Sequence, residues 1–342
     1  RLTTVWRMGM VLDIPEWVEI TEPAIEKFVD HVQPGGYWEE HDGPTMNYDY
    51  LNVSVAGLLW HYRKSDRAWE AMELNTDFHS HWTTPDGIDI HTVDQRNRNH
   101  FSTGASYGLF SFCNFPEGRR YARFKLLTSL GDSNRPLQEK GLESLARVAQ
   151  AAYYHSDGPE AEIPQQLESY HHSLNRPAVV RKSGDWVYSI SAMLSPVRRS
   201  QFYMNRIVPV SLWNSKSEHI IGGGNSKNQP ELATFSIKRE DGSWDDLPVD
   251  ALIIETDNSD TVCVAYEGYS LKLMFELQDN DHAVIHAQAE RTYRSTDQPY
   301  LHLPLILHNG ETLVYGNKRV VLGEEKLEIE GPETVSYNGW TI

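Results

Sequence analysis

The spacing of the apolar residues changes at Pro177, and this change constrains the fold more than any other feature of the sequence. From about residue 14 to residue 175 apolar residues recur at helical spacing, as in IPEWVEITEPAIEKFVDHV, residues 14–32. After Pro177 the chain alternates polar and apolar residues, or runs through short β-branched and aromatic segments between Gly, Asp and Asn. The sequence therefore predicts helices first and strands second.

The first region predicts six or seven helices arranged as αα-hairpins. Helical spacing continues in four further segments, 48–66, 119–132, 137–156 and 163–174. The second region predicts an antiparallel β-sandwich, with strand-like segments at 185–194, 232–240, 250–256, 261–268, 269–278, 282–293, 311–323 and 326–331. The segment NRPAVVRKSG, residues 175–184, is predicted to link two domains, 1–178 and 179–342.

Charge and cysteine content exclude several classes of function. The formal net charge of −17 argues against binding to nucleic acid, so an anionic substrate needs a local basic pocket. Cys113 and Cys263 fall in different predicted domains, which argues against a disulfide framework and a thiolate metal cage. No apolar stretch reaches the roughly 20 residues of a membrane span, so no membrane partner is expected.

The segment YWEEHDGPTMNYDY, residues 37–50, gathers the first candidate site residues. Gly35 and Gly36 end the preceding helix and Pro44 sets a turn, so residues 37–47 are predicted to form a loop at the rim of the helical array. Loops at such a rim line clefts. The candidates in and beside this loop are Trp38, His41, Asn47, Tyr48 and Tyr50.

A second patch, DIHTVDQRNRNHF, spans residues 89–101. It holds the densest group of cationic and amide side chains in this acidic protein, namely Arg96, Arg98, Asn99 and His100. Guanidinium groups form strong charge-assisted hydrogen bonds to anions, and amide groups can add further donors. The patch is therefore a candidate for the local basic pocket that an anionic substrate would need, with a solvated loop as the alternative.

The segment 35–59 resembles the hyaluronate, chondroitin and xanthan lyases, in which an aromatic residue, a histidine, and a tyrosine nine positions later precede an apolar helix. The resemblance implies that His41 and Tyr50 are catalytic and that Arg96 and Arg98 hold the uronate carboxylate. It departs from the family where Gly35-Gly36-Tyr37 replaces Asp-Gly-Ser. The counterpart of the family's carboxylate-neutralising asparagine would precede residue 1, which leaves Asn47 or Asn99 for that role.

The same resemblance, shared with the heparinase and alginate lyase groups, implies an α/α-toroid followed by antiparallel β-sandwich domains. Six or seven helices are few for a closed toroid, so an open or truncated ring is expected. The first residues, RLTTVWRMGM, show neither an initiator methionine nor a signal-peptide pattern, which predicts a cut or processed start. The sequence SYNGWTI predicts that the final domain is incomplete.

The predicted function is that of a carbon–oxygen lyase acting on a uronic-acid-containing polysaccharide by β-elimination, without metal or organic cofactor. Tyr50 is expected to act as base and acid in a cationic pocket that lowers its pKa, with His41 as partner base. The remaining candidates, Trp38, Asn47, Tyr48, Asn99 and His100, are expected to contact the anionic polysaccharide. Secretion or a periplasmic location is expected from this function, and the oligomeric state is left open.

Two other functions remain open on the sequence alone. One is a glycoside hydrolase, but Glu39, Glu40 and Asp42 are too close together to flank a scissile bond. The other is a non-catalytic glycan-binding protein that uses aromatic rings without an acid and a base. The histidine pairs His79/His81, His171/His172 and His282/His286 have spacings that a metal could use, but no third ligand accompanies them in sequence.

Overall fold

The computed structural model describes residues 2–40, 43–94, 108–131, 142–174, 177–193, 209–222, 234–245, 248–292, 296–323, 328, 331 and 334–342. Within these ranges the chain begins with helices and continues with strands, in the predicted order. The change occurs between a 3-10 turn at Pro164–Gln166 and the first strand, which starts at Ser169.

The described residues form seven α-helices: α1 (Leu2–Val11), α2 (Pro15–Val29), α3 (Met46–Arg63), α4 (Asp66–His81), α5 (Leu109–Phe112), α6 (Pro116–Gly131) and α7 (Leu142–Tyr154). A 3-10 turn at His91–Val93 lies between α4 and α5. Local signals explain several of their ends. Pro15 opens α2, where its missing N–H is not needed, and the Ser65 hydroxyl caps α4 by accepting the Ala68 N–H. None of these helices combines the length and apolar character of a membrane-spanning segment.

Gly36 lets the chain leave α2 and pass close to α4. Its φ of +82° lies in the left-handed region, and a Cβ there would lie 2.1 Å from the Leu74 carbonyl oxygen. Glycine is therefore required at the entrance to the 37–50 segment, although α2 already ends at Val29 and not at the predicted glycines.

Sixteen strands lie in the described ranges: β1 (Ser169–Ser173), β2 (Ala178–Ser183), β3 (Trp186–Ser191), β4 (Val210–Asn214), β5 (Glu218–Ile221), β6 (Phe235–Lys238), β7 (Trp244–Asp245), β8 (Asp250–Glu255), β9 (Ser259–Tyr266), β10 (Tyr269–Leu277), β11 (Ala283–Arg291), β12 (Gln298–Leu301), β13 (Thr312–Tyr315), β14 (Lys318–Val321), β15 (Val335–Tyr337) and β16 (Trp340–Thr341). All the named pairings are antiparallel. They form sheets in the orders β1-β2-β3-β4-β5, β11-β10-β9-β8, β12-β6-β7 and β14-β13-β15-β16.

The prediction of an α/α-toroid followed by a β-sandwich is wrong. The described strands divide among four small antiparallel sheets, an arrangement similar to the blades of a four-bladed β-propeller, and the helices do not make a clear toroid. Three of the sheets are built only from strands that are consecutive along the chain, as sequential strands are usually neighbours in space. Alternation of apolar residues predicts strands correctly, but it does not determine how strands are shared among sheets.

Two local predictions at the helix-to-strand change are also wrong. Residues 163–174 were predicted to be helical, yet Ser169–Ser173 form β1, whose His171 is registered with Arg181 of β2. The predicted linker contains β2, which lies between β1 and β3 and is mostly buried. Pairing with β3 stabilises this segment as a strand, which a short sequence window does not show.

Apolar side chains join the helices to the first sheet. Tyr37, Phe78 and Trp82 from the helical region pack in one core with Val187 and Trp213 of β3 and β4. Polar contacts reinforce this interface. Thr92 Oγ1 lies 2.7 Å from Ser189 Oγ, and Trp213 Nε1 donates to Asp86 at 2.9 Å. Residues 82–94 are therefore held between the helices and the β1–β5 sheet.

Candidate functional site

Tyr50 lies in a buried polar cluster between α3, α4 and α6. Its hydroxyl donates to Asp89 Oδ1 at 3.2 Å and lies 2.8 Å from the Tyr121 hydroxyl. Tyr121 is in turn 2.8 Å from Thr83 Oγ1. The His79 imidazole stacks on the Tyr50 ring, with centroids 4.0 Å apart. We refer to Tyr50, His79, Thr83, Asp89, Tyr121 and Lys125 as the Tyr50 cluster; the structure leaves each of them almost completely buried.

A buried ion pair closes one side of the Tyr50 cluster. Lys125 Nζ lies 2.9 Å from Asp89 Oδ1 and also donates to the Gly87 carbonyl oxygen at 2.7 Å. Neither side chain of the ion pair is exposed. Among the described residues, Asp89 Oδ2 and both ring nitrogens of His79 have no hydrogen-bond partner. Because an unpaired charge is costly to bury, Lys125 and Asp89 each need the other to remain charged in the core.

Burial determines the protonation of the aromatic groups in this cluster. It raises the pKa of Tyr50 well above its usual value, and the negative charge of Asp89 raises it further. Burial likewise raises the pKa of Tyr121 and lowers the pKa of His79, where Lys125 adds to the effect. At neutral pH both phenols therefore keep their protons and His79 is neutral. This differs from the expected cationic pocket, because burial and then the charge of Asp89 raise the pKa of Tyr50 instead of lowering it.

Three contacts surround the start of α3, and one of them, between Met46 and Asp94, joins the two predicted site segments. The Trp38 N–H donates to Asp49 Oδ1 at 3.0 Å, which ties the 37–40 segment to α3. The Met46 N–H donates to Asp94 Oδ2 at 2.9 Å. Gly108 packs against α3 so closely that a Cβ there would lie 2.3 Å from the Tyr50 carbonyl oxygen. Both described residues that flank 95–107 therefore contact the first turns of α3.

The predicted substrate contacts within the described ranges differ in exposure. Asn47 and Tyr48 are exposed on the first turn of α3. Trp38 is buried, its ring stacks on Phe28 with centroids 5.7 Å apart, and its Nε1 donates to the Phe28 carbonyl oxygen. Asn47 and Tyr48 can therefore reach a ligand, whereas the Trp38 ring packs against protein. The candidates His41, Arg96, Arg98, Asn99 and His100 lie outside the described residues.

Sequence reasoning missed most of the Tyr50 cluster. In the sequence Asp89 stands out only as the first residue of the second patch, and His79 only as one of two histidines at a spacing that a metal could use. Tyr121 and Lys125 are four residues apart on α6, so they share a face of that helix. A lysine on the buried face of a helix requires a carboxylate partner, and this is the signal that could have indicated the ion pair.

Two clusters of histidine and carboxylate side chains lie near β1. The first joins Asp77 and His81 of α4 to His172 of β1, and the second joins His171 of β1 to Glu255 and Asp260. The ligand atoms in each cluster lie within 4.8 Å of one another. Neither cluster contains both histidines of a predicted pair, because His81 is grouped with Asp77 and His172, and His171 is grouped with two carboxylates.

No protein-family model matches this sequence, and no curated protein matches it. The assignment of a function therefore depends on the residues and their geometry.

Proposed function

We propose that this chain cleaves a uronic-acid-containing polysaccharide by β-elimination and is thus a carbon–oxygen lyase. The observation that supports the proposal is the convergence of the two site segments on the first turns of α3. Asp94 and Gly108, which flank the segment that contains the two predicted carboxylate-binding arginines, both contact α3. The same helix presents the exposed side chains of Asn47 and Tyr48.

In the proposed reaction a base removes the proton from C5 of the uronate. The electron pair of the C5–H bond forms the C4–C5 double bond while the bond from C4 to the glycosidic oxygen breaks. Arg96 and Arg98 bind the carboxylate and stabilise the negative charge that develops on it, with Asn47 or Asn99 as an amide donor. The leaving oxygen then receives a proton from the acid form of the base.

We assign the base to His41 and a positioning role to Tyr50. An imidazole titrates near neutral pH without special surroundings, so His41 can accept a proton and return it. Tyr50 is completely buried and keeps its proton, because burial and Asp89 raise its pKa. Its hydroxyl instead connects α3 to Asp89 of the second segment, which keeps the two segments together.

The test is a product assay on purified protein with hyaluronan, chondroitin, heparan and alginate chains. A lyase gives new chain ends that carry a 4,5-unsaturated sugar, which absorbs in the ultraviolet, together with an equal number of reducing ends. Reducing ends without the absorbance would identify a hydrolase. Binding without either product would identify a glycan-binding protein. Either of the last two results contradicts the proposal.

Replacing either predicted carboxylate-binding arginine is expected to weaken productive binding. Each of Arg96→Ala and Arg98→Ala should lower kcat/KM by about 10- to 150-fold, because a lost charged hydrogen bond costs about 1.5–3 kcal/mol. Arg67→Ala is the matched control, since Arg67 pairs with Asp30 and Glu70 on the surface. Unchanged kinetics in both test variants would move the carboxylate pocket elsewhere.

A further inference from the structure

We propose that Asp77, His81 and His172 bind one Zn²⁺ ion that connects α4 to β1. Asp77 and His81 are four residues apart on α4, so their side chains lie on the same face of the helix. His172 is on β1, the edge strand of the five-stranded sheet. The inference uses no residue of the Tyr50 cluster and does not depend on the lyase activity.

The distances between the three groups are close to those of a zinc site. Bonds of about 2.0–2.1 Å in a tetrahedral site separate neighbouring ligand atoms by about 3.3 Å. Asp77 Oδ1 is 3.1 Å from His81 Nδ1, and Asp77 Oδ2 is 4.0 Å from His172 Nε2. The two imidazoles are stacked with centroids 4.1 Å apart, and His81 Nδ1 also contacts the Asp77 backbone carbonyl oxygen at 2.9 Å. The three ligand atoms lie within 4.8 Å of one another, so the rings have to turn out of this stack to bind one ion.

The set of donor groups also suits a metal ion. A neutral imidazole and an ionised carboxylate are the forms that bind zinc. Two imidazoles and one carboxylate form a three-ligand set found in zinc sites that keep an open fourth position.

The neighbouring cluster on β1 has different electrostatics. Its buried Asp260 accepts hydrogen bonds from two Arg181 nitrogens at 2.9 and 3.1 Å and from the Tyr188 hydroxyl at 2.6 Å. The Arg181 guanidinium neutralises the Asp260 carboxylate and would repel a metal cation. We therefore do not assign a metal ion to His171 and Glu255, and His171 supplies a control on the same strand.

The experiment is calorimetric titration of the full chain with ZnCl₂ after removal of metal with a chelator. We expect one Zn²⁺ ion per chain. His172→Ala and Asp77→Asn should each weaken zinc binding by at least about 10- to 100-fold. Removal of a residue that only supports a metal ligand already has an effect of this size, and these two variants change a ligand itself. His171→Ala should bind zinc like the unchanged protein. In parallel, added zinc should raise the Tm of the unchanged protein but not that of Asp77→Asn.

The comparison of Asp77→Asn with His171→Ala tests whether the zinc ion binds at the proposed site. Asp77 is exposed, and asparagine preserves its shape, so Asp77→Asn gives an informative titration even if His172→Ala folds poorly. The proposal is overturned if the unchanged protein binds no zinc. It is also overturned if Asp77→Asn binds as tightly as the unchanged protein, or if His171→Ala alone loses binding.

Discussion

Replacing Asp89 with Ala is expected to lower the free energy of unfolding by about 3–5 kcal/mol, the usual cost of leaving a buried charge unpaired. The variant removes the carboxylate that accepts from Lys125 at 2.9 Å and from Tyr50 at 3.2 Å. Because Lys125 is completely buried, its ammonium group would have only the Gly87 carbonyl oxygen as a remaining acceptor among the described contacts. Urea-induced unfolding, followed by tryptophan fluorescence, measures the effect.

Two controls separate the buried charge from general damage to the core. In the double variant Asp89→Leu/Lys125→Met both charges are absent, so most of the lost stability should return. Arg67→Ala breaks surface pairs with Asp30 and Glu70 and should change the free energy of unfolding far less. A cost of less than about 1 kcal/mol for Asp89→Ala would show that water or another group satisfies Lys125.

The second large effect is expected on catalysis. His41→Ala should lower kcat by about 10²–10⁴-fold, the contribution of a positioned general base. Tyr50→Phe should reduce kcat by less than tenfold and the free energy of unfolding by about 0.5–1.5 kcal/mol, because it removes hydrogen bonds without changing a charge. Initial rates of unsaturated product formation on the best substrate measure both effects on kcat.

The reverse pattern has a clear meaning. If Tyr50→Phe abolishes turnover while His41→Ala remains active, the phenol reacts directly, and the buried state of Tyr50 is not the reactive one. The pH dependence of kcat/KM provides a second measurement. An imidazole base requires activity to rise with pH near neutrality, whereas a phenol with a raised pKa would require the rise at alkaline pH.

The candidate site could be predicted in part. The sequence identified two patches rich in chemically useful side chains, and the contact between Asp94 and Met46 joins them. The sequence also predicted a lowered pKa for Tyr50, because the arginines at 96 and 98 suggested a cationic pocket. The structure surrounds the phenol instead with Asp89, Tyr121 and His79, all buried. A pKa depends on burial and on charges from distant elements, and neither is encoded in the residues next to Tyr50.

The histidines near β1 illustrate the same limit. His81 and His172 are 91 positions apart in sequence, yet their rings stack. In the sequence, the spacings of His79/His81 and of His171/His172 suggested a metal site, but neither pair had a third ligand near it. Alternation along β1 places His172 beside α4 and His171 beside Asp260, so neighbouring histidines enter two different clusters.

The amino-acid sequence by itself determined the local elements, such as α2, α3 and the strands β8, β9 and β10, because apolar spacing reports which face of an element is buried. It also determined the order of helices before strands. Only the tertiary structure decided the division into four sheets, the pairing of Lys125 with Asp89 and the burial of Tyr50. These features depend on contacts between residues far apart in sequence, and local periodicity carries no information about which partner a buried face will meet.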